Sequence, residues 1–141
     1  MSTALATAGL MGLSALCPLQ APDLGATAAR VAALWSQADV VGLAELGASE
    51  GIRLQRFDQR YLPVSGRQAS AALREFFAAR RTGGARVTRL ADVGGQPARA
   101  FAELDWTPDP EGPAGPERFV LFVGLTLEGA GWRISEIRLL R

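Results

Sequence analysis

Residues 118–140 read RFVLFVGLTLEGAGWRISEIRLL, two runs of alternating apolar residues joined by Glu-Gly-Ala-Gly. A period of two marks strands, and the glycine-rich joint marks a hairpin turn. One irregularity disturbs the second run. Trp132 and Ile134 are spaced by two, but the next apolar residues are Ile137 and Leu139. A β-bulge at Ser135–Glu136 keeps all four on one face, bends the sheet and turns Glu136 and Arg138 outward.

The period of two continues upstream. ARVTRLADV (85–93) and ARAFAELDW (98–106) read as two more strands, joined by Gly-Gly-Gln. The Pro/Gly-rich stretch from Thr107 to Glu117 is too short for a linker and reads as a long surface hairpin loop. Four consecutive strands with short joints predict an antiparallel meander. The pairing expected across its last two hairpins sets Phe101, Glu103 and Asp105 on the same face as Phe119, Leu121, Val123 and Leu125, with Trp132 and Ile134 joining them. Ala98, Ala100, Ala102, Leu104 and Trp106 then share the opposite face with Val120, Phe122, Gly124 and Thr126. The first set is bulkier and is expected to face inward.

Before Arg86 the period is helical. Ala69, Ala72, Leu73 and Phe76 form one stripe; Ser65 and Gln68 make a capping box ahead of it, Arg80 and Arg81 suit its last turn, and Gly83–Gly84 ends it. IRLQRFDQRYLPV (52–64) alternates on either side of Asp58 and predicts a short hairpin. Ala28, Val31, Ala32 and Trp35 fall at i, i+3, i+4 and i+7 of a first helix, and Asp39 can cap a second carrying Val40, Leu43, Ala44 and Leu46. The fold class is therefore α+β, a curved antiparallel sheet wrapped around N-terminal helices.

Two units are expected, a segment over 1–22 and a single domain over 23–141. The segment has no charge, and its apolar run from Ala4 to Leu19 is too short to cross a membrane. It reads either as the hydrophobic part of an export signal, which would place the domain in the periplasm or outside the cell, or as an apolar tail on a cytoplasmic protein.

Composition excludes many chemistries. There is no histidine, and all fifteen basic residues are arginine. The commonest general base and metal ligand is thus missing, and the lone Cys17 supports neither a disulfide nor a thiolate metal site. No metal or cofactor is implied. A formal net charge of +1 offers no field for nucleic acid, and the clusters RLQRFDQR and AARR read as solvated faces.

Taken together, SGRQASAALREFFA, the four-strand meander and the closing Gly-Trp-Arg-Ile strand resemble the nuclear transport factor two-like superfamily, the bent-sheet cone fold also described as cystatin-like. The chain is most similar to its small bacterial members of unknown function. The resemblance covers about Ala26 to Arg141 and implies a scaffold that hosts isomerases, SnoaL-like cyclases, hydrolases and many non-enzymes. Ketosteroid isomerase is the nearest enzyme comparison. Alignment on Ser65–Gly66 and on Gly129–Gly131 puts Phe57 or Asp58 at its base, Arg30 at its tyrosine and Val123 at its protonated acid. Both oxyanion donors are replaced, which removes a large share of such catalysis.

Two carboxylates are the catalytic candidates. On the expected inner face Glu103 would be desolvated and tuned for acid or base work, whereas a one-residue change of register puts it in solvent or at a dimer interface, paired with an arginine such as Arg99 or Arg138. Asp58 is a base or a turn residue. A ligand pocket would be lined by Trp35, Tyr61, Phe76, Arg99, Phe101, Leu121, Val123, Trp132 and Ile134, with the aromatics also able to serve simply as core. Three functions follow: a non-catalytic or small-ligand-binding domain, homodimeric through its sheet; a cofactor-independent isomerase, cyclase or hydrolase acting on a small apolar substrate; or a protein-interaction module using the outer sheet face. None calls for nucleic acid or an integral membrane segment.

Overall fold

The computed structural model describes residues 23–56, 62–64, 66–80, 83–108 and 117–140. Helix α1 (Leu24–Ser36) begins where the Asp23 carboxylate accepts a hydrogen bond from the Ala26 amide at 3.2 Å, and it buries Ala28, Val31, Ala32 and Trp35, the stripe expected from the sequence. Ala38 reverses the chain with a left-handed φ of 51°, a conformation that costs an alanine roughly 1–2 kcal/mol. Asp39 then caps α2 (Val40–Glu45) by accepting from the Gly42 amide at 2.9 Å.

The predicted hairpin is formed by β1 (Ile52–Arg56) and β2 (Leu62–Val64), paired antiparallel with Ile52 opposite Val64. Helix α3 (Gly66–Ala78) buries Ala69, Leu73 and Phe76. It ends earlier than the arginine pair suggests. Arg80 follows the helix and donates from Nε to Glu117 at 3.1 Å, with the two side chains 14% and 17% exposed and the guanidinium over the rings of Phe76 and Phe119. Ser65, the first half of the expected capping box, and Arg81 lie outside the described residues.

The meander comprises β3 (Ala85–Gly94), β4 (Arg99–Trp106), β5 (Phe119–Glu128) and β6 (Gly131–Leu140). It joins the first hairpin in one sheet of order β2-β1-β6-β5-β4-β3, in which β1 and β6 run parallel and the other pairs antiparallel. The bulge expected in the last strand is present. Gly124 faces Glu136 and Leu125 faces Ile134, which leaves Ser135 without an opposite residue. Ile134 on one side of the bulge and Ile137 and Leu139 on the other are consequently all buried.

The helices cover one face of the curved sheet, α1 against β3 and β4 and α3 against β1 and β2. That inner face carries Ala100, Ala102, Leu104 and Trp106 from β4, Phe119, Leu121, Val123 and Leu125 from β5, and Trp132, Ile134, Ile137 and Leu139 from β6, all buried. Trp106 is the hub. Its ring lies 5.5 Å from Trp35 and 5.3 Å from Phe119, and its Nε1 donates to the Gly83 carbonyl at 3.1 Å. Trp35 Nε1 is buried without an oxygen acceptor, and the rings of Phe77 and Trp106 are its neighbours.

One expectation is corrected here. The hairpin of β4 and β5 sets Glu103 opposite Phe122 and Phe101 opposite Gly124. Directly opposed residues share a face, so Phe101, Glu103 and Asp105 point outward, and the smaller set Ala100, Ala102, Leu104 and Trp106 points inward. The small residues of β4 suffice because the helices supply the bulk on that side, through Trp35, Leu73 and Phe76. Where a helix lies directly on a strand, alanines belong beneath it.

Candidate functional site

The inner face is not completely filled. A cavity of about 170 Å³ remains between α3 and the parallel pair β1–β6, lined by Trp35, Leu54, Gln55, Ala72, Leu73, Glu75, Phe76, Ile137 and Leu139. Its position follows from the pairing. Leu54 of β1 stands opposite Ile137 of β6, and Leu139 follows two residues along β6, so Leu54, Ile137 and Leu139 form one apolar wall. Leu73 and Phe76, on the buried stripe of α3, form the other. Glu75 is exposed at the rim, and among the described residues no polar or charged side chain is buried.

The sequence-selected residues divide among three places. Trp35 and Phe76 line the cavity. Leu121, Val123, Trp132 and Ile134 are buried in the core of the same inner face but do not border it. Arg99 and Phe101 lie on the outer face, as does Glu103, whose carboxylate is 3.9 Å from Arg89 with its side chain 32% exposed. Asp58 and Tyr61 fall outside the described residues. Leu54, Ile137 and Leu139 are pocket residues that the sequence pattern did not single out as such. The signal that would have found them is the parallel pairing of β1 with β6, which sequence periodicity does not carry.

The outer face is different in kind. Phe101 and Phe122 stack there with centroids 5.0 Å apart, Arg89 sits over the first ring and Arg138 over the second. Arg138 also donates to Glu136. Arg86 and Asp105 approach to 3.8 Å. At one end the face deepens into a trough of about 640 Å³, with Phe101, Phe122 and Gly124 among its lining and residues of the 48–51 turn and Val93 and Pro97 at its sides. Gly124 sits tightly against its neighbour. A β-carbon there would stand 3.2 Å from the β-carbon of Glu136.

Glu128 ties this end together. Its carboxylate accepts from the Ser49 hydroxyl at 2.8 Å and from the Ser49 amide at 3.0 Å, and these bonds, helped by the charge of Arg133, hold its pKa below the ordinary glutamate range. The inner cavity, by contrast, offers mainly apolar side chains, with Gln55 and Glu75 as its polar lining. Among the described residues no cluster of three metal-ligating side chains occurs, and no helix is long and apolar enough to cross a membrane.

No protein-family profile matches the chain, and no curated protein matches it in sequence. Solved structures do. A hypothetical protein from Catenulispora acidiphila with a ketosteroid isomerase-like fold, solved in complex with trimethylamine, superposes with a TM-score of 0.63 at 15% identity over 86% of this chain and 87% of its own. A DUF4783 family protein from Bacteroides ovatus gives 0.63 at 18% identity, covering 77% and 89%. An uncharacterised cystatin-fold protein from Novosphingobium aromaticivorans gives 0.59 at 16% identity, covering 82% and 96%. The chain therefore has the nuclear transport factor two-like cone fold, in the company of small uncharacterised proteins. At these identities the likeness is one of fold alone.

Proposed function

We propose that this chain is a non-catalytic, small-ligand-binding cone-fold domain, working as a homodimer through the outer face of its sheet and set apart from residues 1–22. The observation that carries the ligand reading is the inner cavity of about 170 Å³, walled mainly by Trp35, Leu54, Leu73, Phe76, Ile137 and Leu139, with Gln55 and Glu75 as its polar lining. An engineered apolar cavity of ~150 Å³ in another protein takes up benzene, so the ligand class is a small apolar molecule of about that size. The trimethylamine bound by the Catenulispora protein is a molecule of the same modest bulk. The catalytic alternative loses its leading acid, because Glu103 stands on the opposite face of the sheet from the cavity. The half-buried Phe101–Phe122 stack supports the outer face as the dimer contact.

The test is uptake of benzene and indole by the full chain, followed by two-dimensional NMR and by native mass spectrometry after gentle purification. Wild type should bind, with shifts at the methyl groups of Leu73 and Ile137. Ala72→Phe, which grows a ring into the cavity from a half-buried position, should weaken binding about tenfold or more while preserving the fold. Folded wild-type protein that takes up neither probe would overturn the reading.

A further inference from the structure

The outer face can be laid out row by row from the strand register. One row runs Arg89, Glu103, Phe122, Arg138 across β3, β4, β5 and β6, and the next runs Ala91, Phe101, Gly124, Glu136. An apolar strip on β5 is thus flanked by acid on the β4 side and base on the β6 side within a single row.

We infer that this face docks a second copy of the chain about a two-fold axis parallel to β5 and passing over Phe122, so that Glu103 of each copy meets Arg138 of the other. The inference rests on the sheet-face dimer proposed above and fixes its geometry. Such an axis lays β4 over β6 of the partner without changing rows. Phe122 then packs on Phe122, and Phe101 lies over Glu136 of the partner subunit.

Charge selects this axis over the alternative. A two-fold at right angles to β5 would set Glu103 against Glu103 and Arg138 against Arg138, and like charges opposed in an interface are strongly unfavourable. With the parallel axis each Arg89–Glu103 pair joins an Arg138–Glu136 pair into a four-charge network, the arrangement in which surface ion pairs contribute most. The three strands β4, β5 and β6, ~4.8 Å apart over eight residues at ~3.3 Å, outline roughly 380 Å² in projection, and β3, which the same axis lays over β1 of the partner, extends the footprint toward the ~800 Å² per partner of a standard interface. The inner cavity, on the opposite face, stays accessible.

Charge reversal on full-length chains tests this, with analytical ultracentrifugation for assembly and native mass spectrometry for composition. Glu103→Arg alone and Arg138→Glu alone should each weaken the homodimer about tenfold or more, because each creates two like-charge contacts. An equimolar mixture should restore dimers holding one chain of each kind, because both contacts are then of opposite charge. Restoration also shows that both variants fold. Should a reversal disrupt folding, Glu103→Gln mixed with Arg138→Gln carries the same test, since only the mixed dimer keeps one intact pair.

Unaltered dimerisation of both charge variants, together with a monomeric Phe122→Glu, would overturn this axis and leave the sheet-face dimer standing. A dimer that survives Phe122→Glu would overturn both. So would wild type that stays monomeric at ~100 μM, well above the Kd expected of a standard interface.

Discussion

Trp106 and Phe101 are aromatic residues of the same strand, five positions apart, and they live in opposite worlds. Trp106 is fully buried, ringed by Trp35, Phe76, Phe77 and Phe119, with its indole nitrogen hydrogen-bonded to Gly83. Phe101 is half-buried, stacked on one neighbour and roofed by an arginine. The inner face is a three-dimensional core in which Trp35, Phe76, Phe77 and Trp106 each meet at least three other rings. The outer face is a monolayer in which Phe101 and Phe122 meet each other and one arginine apiece. The difference assigns the faces separate duties, the inner to stability and the residual cavity, the outer to whatever covers it.

Truncating each aromatic residue should separate the two faces most sharply. Trp106→Ala removes the hub of the inner cluster and leaves a large void, so unfolding free energy from urea denaturation should fall by about 3–5 kcal/mol. A loss below about 1 kcal/mol would mean that α1 and α3 do not depend on this ring. Phe101→Ala, measured on dilute protein to remove any contribution from assembly, should cost about 1 kcal/mol, the value of one half-exposed stack. Equal costs for the two variants would erase the distinction between the faces.

The same contrast explains which parts were legible in sequence. The helices, the hairpin, the meander and the bulge at Ser135 were readable because each is encoded locally, in a stripe, a cap or a break in alternation. The fold class followed from them. The inward face of β4 was not readable, because alternation says only that Phe101 and Trp106 lie on opposite faces and is silent on which is inside. That choice is made by the helical layer, which covers the face carrying Ala100 and Ala102. Bulk favours the pocket for Glu103, whereas the register sets it on the outer face, 3.9 Å from Arg89. The cavity was half legible. Trp35 and Phe76 border it as core aromatics do, whereas Leu54 and Leu139 come together only through a parallel pairing of segments some eighty residues apart.

The smallest effect concerns the polar end of the outer face, where stability should depend on pH through Glu128. Its carboxylate is held below the ordinary glutamate pKa by the Ser49 hydroxyl first and the Ser49 amide second. A lowered folded-state value means that the unfolded chain binds the proton more readily than the folded one. The contribution is therefore fully present above the ordinary glutamate value of about 4.3, and it is lost as pH falls through the lower folded-state value. Glu128→Gln, which cannot ionise, should flatten this one component. The urea midpoint of wild type should exceed that of the variant at pH 6, and the gap should close by pH 3. Ser49→Ala should shrink the same gap by removing the hydroxyl while leaving the amide. Because the groups lie at the surface, the change is small beside that of Trp106→Ala, and 1 M salt should leave most of it in place, since hydrogen bonds at contact distance are screened far less than separated charges. A gap that persisted unchanged at pH 3 would show that Glu128 acts there through shape, and the tie between the 48–51 turn and the end of β5 would then not be electrostatic in origin.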